Sequence, residues 1–141
     1  MSISNIVIDT NMVIAALRSK KGASYKLLSL VGTERFISHV SVALILEYED
    51  VIQRHRVELG FSQDDVSDFI DSLCAVAKHH EVYFLWRPSL PDANDELILE
   101  LAVAARCESI VTYNVSDFKG IEKFGIQVMT PITFLKIIGE V

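Results

Sequence analysis

Residues 6–11 read Ile-Val-Ile-Asp-Thr-Asn, and this stretch decides the fold expected of the chain. Three β-branched apolar residues in a row favour a strand that is buried on both faces, as the strands of parallel sheets are. The run stops at Asp9, a residue type that caps helices, and a helical pattern follows at residues 12–17. A second helical segment covers residues 23–31, after a turn at residues 19–22. The stretch therefore predicts a buried strand that leads directly into helices.

The same alternation of a short apolar run and a helical pattern continues to the end of the chain. Further strands are predicted at residues 35–37, 82–85, 109–112 and 126–129. The helices between them are predicted to cover residues 41–54, 62–80, 91–106 and 130–138, with N-caps at Ser41, Ser62 (with Asp65 as a capping box), Asp92 and Thr130 (before Pro131). This order indicates an α/β fold: a three-layer α/β/α sandwich with a central, mainly parallel sheet of four or five strands.

The composition is that of a single globular domain spanning residues 1–141. Half of the residues are apolar and 23% are charged, which excludes disordered and collagen-like chains. No apolar run approaches the ~20 residues of a membrane helix, and Asp9 interrupts the apolar N-terminal stretch, which argues against a signal peptide. Cys74 and Cys107 lack metal-ligand spacing and are interpreted as core thiols of a reduced protein. We therefore expect a soluble, cytoplasmic protein.

The net charge is −6, from 13 basic and 19 acidic side chains, whereas proteins that coat nucleic acid usually carry a basic surface. Basic residues nevertheless cluster in two short stretches, one within the acid-free segment 11–33 and one at residues 54–56. Each cluster is either an ordinary solvated surface or a set of contacts to phosphate groups. The residues are Arg18, Lys20, Lys21 and Lys26 in the first, and Arg54, His55 and Arg56 in the second.

Acidic residues are expected near one edge of the predicted sheet, because ligands of such folds bind beyond the carboxyl ends of the strands. Asp9 follows the first strand and Asp117 follows the strand at 109–112. Asp95 lies in the first turn of the helix that Asp92 caps, and Glu47 borders the apolar face of the 41–54 helix. Taken singly, each acid is explained as a helix cap or a solvated charge.

Taken together, these acids indicate a metal site. Carboxylates crowded within a few ångströms repel one another, and the repulsion raises their pKa values. A divalent cation removes that repulsion and keeps them charged. Oxygen ligands without a nearby Cys or His favour Mg²⁺ or Mn²⁺ over zinc.

At these residues the sequence resembles the PIN-domain family, and within it the VapC-like toxins of bacterial and archaeal toxin–antitoxin operons. Four motifs carry the resemblance, and their order and spacing make it specific. They are Val-Ile-Asp-Thr-Asn at residues 7–11, Glu-Tyr-Glu-Asp-Val-Ile at 47–52, Asp-Glu-Leu-Ile-Leu-Glu-Leu-Ala at 95–102, and Ile-Val-Thr-Tyr-Asn-Val-Ser-Asp-Phe at 110–118.

The resemblance implies a metal-dependent ribonuclease that cleaves RNA phosphodiester bonds and leaves 5′-phosphate and 3′-hydroxyl ends. Its catalytic acids would be Asp9, Glu47, Asp95 and Asp117. Mg²⁺ or Mn²⁺ would be held by Asp9, Asp95 and Asp117, with Glu47 holding a second metal or shaping the attacking water. Many family members carry Asp where this chain has Asn114, which would act as a neutral ligand or orient water. Further supporting residues would be Thr10, Asn11, Asp92 and Thr112.

The resemblance also implies partners. An RNA substrate would be held by Arg18, Lys20, Lys21, Lys26, Arg54 or Arg56, and a small antitoxin protein would dock on the chain. Dimers are common among similar proteins, and Tyr25, Leu27 and Leu28 fit either a dimer interface or the core.

Two other classes of protein are compatible with part of this pattern. Asn114 leaves open a catalytically inactive module that acts only by binding an antitoxin. Phosphotransfer domains also place acids at strand ends, but a haloacid-dehalogenase-like site needs Asp at the position of Asn11. A receiver domain needs a paired acid near the first strand and a Lys after the last one, and the chain lacks both.

Overall fold

The structure is a computed structural model, and it describes residues 3–82 and 90–141. Within these ranges, strands and helices alternate as follows. The strands are β1 (Ser4–Ile8), β2 (Phe36–Ser41), β3 (Lys78–His80), β4 (Ser109–Val111) and β5 (Gln127–Met129). The helices are α1 (Thr10–Arg18), α2 (Ala23–Ser29), α3 (Val42–Arg54), α4 (Arg56–Leu59), α5 (Gln63–Val76), α6 (Ala93–Ala104) and α7 (Pro131–Ile137), with short 3₁₀ turns at Val115–Phe118 and Ile121–Phe124.

The five strands form one parallel sheet in the order β3-β2-β1-β4-β5. Ile6 of β1 pairs with Ser38 of β2, and Ile8 pairs with Val111 of β4. The strand order reverses between β1 and β4, and this is the switch point at which open α/β sheets bind ligands. The predicted parallel sheet between helices is therefore confirmed, and it directs attention to the carboxyl ends of β1 and β4.

The core is built around β1, because the central strand is covered on both faces. Ile6 and Val7 are fully buried and Ile8 nearly so, as an uninterrupted β-branched run predicts. Helix α6 packs against β1, β2 and β4, and α3 turns its predicted apolar face inward through Leu44, Tyr48 and Ile52. Burial of these faces against the sheet is what holds the helices in place.

Three predicted helix starts are confirmed at the level of hydrogen bonds. The Ser41 hydroxyl accepts from the backbone N–H of Leu44 at 3.2 Å, and Ser62 forms a reciprocal capping box with Asp65. Asp92 accepts from the backbone N–H of Asn94 at 2.7 Å. Thr130 is the N-cap residue before Pro131, as predicted, although its hydroxyl bonds to that of Thr133 and makes no bond to a backbone N–H of the first turn.

The prediction that Lys78, His79 and His80 close the helix after Ser62 is wrong. Helix α5 ends at Val76, and these residues form β3, paired with β2. Ring nitrogens of His39 and His80 lie 2.7 Å apart across the two strands. Pairing with a distant strand thus outweighs the local helical pattern. Of the strand predicted at 82–85, Val82 lies in no strand and residues 83–85 lie outside the described residues.

Other boundaries differ by a few residues. The strand predicted at 35–37 begins at Phe36 and continues to Ser41, and the helix predicted to reach residue 31 ends at Ser29. Both cysteines are free, with Cys107 buried and Cys74 half-buried. In the part of the chain that the structure describes, no helix has both the length and the apolar character to cross a membrane.

Candidate active site

Asp9 lies at the switch point, directly after β1. Its backbone N–H donates to the carbonyl of Val111 at 3.0 Å, which continues the pairing of β1 with β4 by one residue. The carboxylate caps α1, since Oδ1 accepts from the backbone N–H of Thr10 at 2.7 Å. Only 7% of the residue is exposed. The side chain is therefore held in one orientation at the mouth of the crevice.

Thr112 fixes the other oxygen of Asp9. Its hydroxyl donates to Asp9 Oδ2 at 2.7 Å, and it accepts from Asn11 Nδ2 at 3.2 Å and from the backbone N–H of Asn114 at 3.0 Å. Asn11 Nδ2 also reaches Asp9 Oδ2 at 3.3 Å, and its Oδ1 accepts from the backbone N–H of Tyr113. One buried hydroxyl thus ties the end of β1 to the loop after β4.

The surroundings of Asp9 change the pKa of its carboxyl in both directions. Burial raises the pKa of its carboxyl, the bonds from Thr112 and Thr10 lower it, and the negative charges of Asp117 and Asp92 raise it further. These carboxylates therefore lie within electrostatic reach of Asp9, although they come from three separate parts of the chain.

The carboxyl of Asp95 has a strongly raised pKa. It is half-buried in the first turn of α6, and its pKa is raised to about 6 by burial and by the charges of Asp9, Asp92 and Asp117. Because the capping of α6 is already supplied by Asp92, Asp95 is available for a different role.

A cleft of ≈ 330 Å³ separates the start of α6 from the 3₁₀ turn after β4. Asp92 and Asp95 line one side, and Asp117 and Lys119 line the other, together with Leu90, Pro91 and Ser116. Asp117 is exposed and lines the same cleft as Asp95. Lys119 was missed by sequence analysis, because a lone lysine in a loop carries no pattern.

Glu47 approaches from α3. It is half-buried, and its pKa is raised by burial, lowered by Arg54, and raised by Asp50, Asp9 and Asp92. The neighbouring Tyr48 hydroxyl donates to the carbonyl of Ile8, so that α3 is anchored at the end of β1 next to Asp9. Sequence analysis assigned Tyr48 only to the apolar face and missed this anchoring bond.

Comparison with known families decides the assignment. A family model described as PIN domain matches residues 5–116. The chain belongs to the PIN-domain family. No curated protein matches its sequence. Among solved structures, the fold is similar to a chain in the crystal structure of VapBC2 from Rickettsia felis bound to a DNA fragment from the VapBC2 promoter. The TM-score is 0.59 and the sequence identity is 17%, and the match covers 89% of this chain and 98% of that one.

The family match covers three of the four predicted catalytic acids of this PIN-domain chain. Asp9, Glu47 and Asp95 lie inside residues 5–116, and the match ends one residue before Asp117. Asn114 is inside it as well, and its side chain is exposed while its backbone N–H bonds to Thr112. The likeness to VapBC2, at 17% identity, establishes a shared fold.

The candidate metal ligands of this PIN-domain chain are all oxygen atoms, and hard cations such as Mg²⁺ prefer oxygen ligands. Among residues 3–82 and 90–141, no three His, Cys, Asp or Glu side chains are gathered into a metal-ligand cluster. Mg²⁺ usually binds through one or two protein carboxylates and keeps several waters, so a looser set of acids fits this ion. Beside Asp9, the buried Thr10 hydroxyl has no hydrogen-bond partner among the residues that the structure describes.

The predicted RNA-contacting residues lie outside the PIN-domain cleft, where Lys119 is the one basic residue among the described lining residues. Several of them are engaged elsewhere. Arg18 pairs with Glu58 at 2.7 Å, and Arg54 pairs with Asp50 at 2.9 Å. Lys26 lies 3.8 Å from Glu140, and Arg56 donates to the carbonyl of Phe61. Lys20 and Lys21 are exposed.

Proposed function

We propose that the chain is a metal-dependent ribonuclease, the toxin of a type II toxin–antitoxin pair that acts in the cytoplasm on RNA. The observation that carries the proposal is the gathering of acids at the switch point of a PIN-domain chain, where Asp95 and Asp117 line one cleft and where burial and the charges of Asp9 and Asp117 raise the pKa of Asp95. A carboxyl whose pKa is raised by burial and by neighbouring acids is typical of functional sites, and a bound cation would relieve the repulsion.

In this proposal Asp9, Asp95 and Asp117 hold Mg²⁺ or Mn²⁺, and Glu47 binds a second ion or orients water. The ion, when bound, activates water for attack on phosphorus and stabilises charge on the phosphate oxygens. The products would carry 5′-phosphate and 3′-hydroxyl ends.

The chain's own residues would prepare the site for this chemistry. Thr112, Thr10 and Asn11 keep the Asp9 carboxylate in one orientation, so that little reorganisation is needed on binding. Lys119 supports the binding of an RNA phosphate in the cleft, where it would offset the repulsion between the phosphate and the acids.

The fold match to a chain of VapBC2 supports an antitoxin as the partner. VapBC2 is another protein, and its partner is carried over to this chain only as part of the proposal. The alternative is a catalytically inactive module that only binds the antitoxin, and Asn114 is the residue that motivates it.

Cleavage of a mixed pool of structured and single-stranded RNA tests the proposal. The purified chain should cut RNA with Mg²⁺ or Mn²⁺, and the cutting should disappear in EDTA and in Asp95→Asn. Asp71→Asn is the matched control, because Asp71 is an exposed acid on α5, and it should cut as the wild type does. End-labelling should detect 5′-phosphates on the products. A folded wild type that cuts nothing with either metal would instead support the inactive module.

A further inference from the structure

A second groove, of ≈ 510 Å³, lies between the start of α3, the edge strand β3 and α6. Its walls are mostly apolar, and one acid of α6 lies among them. The residues that matter for the argument are Val42, Ala43, Leu46, Val82, Leu97 and Glu100. The proposed catalytic residues do not line it.

Glu100 is the unusual member of this groove. Only 5% of the residue is exposed, yet its carboxylate has no hydrogen bond or ion pair with any residue of the described ranges. Burial raises the pKa of this carboxyl, and the charge of Glu96 raises it further. Among the described residues, the fully enclosed side-chain atoms without a hydrogen bond belong to Thr10 and Ser38, so the Glu100 carboxylate is reached from the groove that it lines. A carboxylate with so little exposure and no bond to a described residue has room for a donor from a ligand.

Glu100 is separate from the acids of the catalytic cleft. It lies five positions after Asp95 on α6, which places the two residues about 140° apart around the helix axis. Asp95 lines the cleft on one side, and Glu100 and Leu97 line the groove on another. The need for a metal at Asp95 therefore does not explain the carboxylate at Glu100.

The charge and shape of the groove indicate its ligand. Glu81 is an exposed second acid on the rim, and no Lys or Arg is found among the described residues that line the groove. A cation with an apolar stem matches this combination, and a guanidinium offers a carboxylate two parallel donors. RNA is disfavoured, because two carboxylates repel phosphates.

The surroundings of the groove match a protein partner. Val42 and Leu46 are 68% and 58% exposed on α3 and extend the apolar wall of the groove onto the surface. Contiguous exposed apolar side chains beside a pocket are typical of protein interfaces. We propose that this groove is a docking site for an arginine side chain of a partner protein, with its guanidinium on Glu100 and its alkyl stem along Leu46 and Leu97. The inference does not depend on ribonuclease activity.

The direct test uses n-butylguanidinium, which reproduces the arginine side chain, and n-butylurea, its neutral counterpart. Each is titrated into the full-length, isotope-labelled chain while amide NMR signals are followed. n-Butylguanidinium should cause saturable shifts at Ala43, Leu46, Leu97 and Glu100, with a dissociation constant on the order of 1–10 mM for so small a ligand. n-Butylurea should bind at least about tenfold more weakly.

Two variants separate the buried acid from the rim. Glu100→Gln should weaken n-butylguanidinium binding about tenfold, while Glu81→Gln should change it less than about twofold, because exposed charges contribute little. Equal binding by wild type and Glu100→Gln, or no saturable shift in the groove, would overturn the proposal. Glu100-dependent binding of guanosine monophosphate, with none of n-butylguanidinium, would reassign the groove to RNA.

Stability distinguishes docking from a structural role. Since Glu100 has no partner among the described residues of the free chain, Glu100→Gln and Glu100→Leu should melt at or above the wild-type temperature. A clear fall in the melting temperature of both variants would show that Glu100 stabilises the fold and would also overturn the docking proposal.

Discussion

The Thr112 hydroxyl donates a 2.7 Å hydrogen bond to Asp9 Oδ2 and so joins the ends of β4 and β1 across 103 positions of sequence. The same oxygen accepts from Asn11 and from the backbone of Asn114, so its hydrogen-bonding capacity is fully used. This single side chain orients the carboxylate on which the proposed metal site depends.

Thr112→Val is therefore expected to reduce RNA cleavage about 10–100-fold, as the loss of residues that orient metal ligands usually does. It should also destabilise the chain by about 1–2 kcal/mol, because the buried Asp9 carboxylate loses a donor and two part-buried N–H groups lose an acceptor. Thr112→Ser retains the hydroxyl and should keep most of the activity. Cleavage rates at several Mg²⁺ concentrations and urea unfolding are the measurements. A valine variant that cleaves as fast as the serine variant contradicts the assigned role.

Neutralising Asp95 is expected to stabilise the metal-free chain. In the folded state the pKa of Asp95 is raised to about 6, against 3.8 for the unperturbed group. The free energy of unfolding therefore decreases as the pH rises from 3.8 to about 6. Asp95→Asn should therefore raise the unfolding free energy by about 1 kcal/mol at pH 7, since solvent screens the half-buried group. At pH 4 the gain should be small.

Urea unfolding at pH 4 and pH 7 in EDTA measures this difference, with Asp71→Asn as the control. Mg²⁺ should stabilise the wild type at pH 7 more than the Asp95→Asn variant, because ligand binding to the folded state adds stability. An Asp95→Asn variant that is less stable than the wild type at both pH values would be incompatible with this account.

His39 is expected to lower the stability of the fold at acidic pH, which is the opposite of the effect expected for Asp95. It is buried between β1 and β3, where Nε2 donates to Asn5 Oδ1 at 2.8 Å and Nδ1 therefore accepts from His80. Burial and the charges of His80 and Lys78 together lower its pKa to about 4, against the opposing effect of Glu108. Since the unfolded group titrates at 6.5, stability should fall as the pH drops from 6.5 towards 4, by at most about 3 kcal/mol.

His39→Gln should flatten this part of the stability profile, whereas His55→Gln, at a half-exposed histidine that bonds to Glu58, should leave it intact. Unfolding free energies from pH 4 to 7.5 provide the comparison. Profiles of wild type and His39→Gln that run parallel would show that another group is responsible.

Lys119 is expected to bind substrate phosphate. Lys119→Met should weaken RNA binding several-fold and reduce the slope of log affinity against log salt by about 1. Lys123→Met is the matched control, because Lys123 is an exposed lysine of the next turn that does not line the cleft. Fluorescence anisotropy with labelled RNA, in the Asp95→Asn background to prevent cleavage, gives both quantities. Equal salt slopes for the two lysine variants would exclude this contact.

Much of the fold could be predicted from local patterns. The buried strand at residues 6–8, the capped helices at Ser41, Ser62 and Asp92, and the parallel sheet were all indicated by periodicity and capping chemistry. The stretch at residues 78–80 could not be, because its three residues join a strand only when β2 lies beside them. Local patterns describe interactions within an element and carry little information about pairing between distant strands.

Some residues of the candidate site could be predicted from the sequence, and others could not. Asp9, Asp95 and Asp117 were identifiable because acids at strand ends and helix starts follow a topological rule. The bonds of Thr112 to Asp9 and of Tyr48 to Ile8, and the place of Lys119 in the cleft, have no sequence signature, since each joins residues far apart in the chain.

Apolar period, helix caps and motif spacing are local properties, and they were enough to predict the class of fold, the family and the acids that follow the strands. The orientation of the Asp9 oxygens, the raised pKa of Asp95, and the 5% exposure of Glu100 without a partner among the described residues came from the folded chain. These properties depend on burial and on distances between elements, and folding alone sets them.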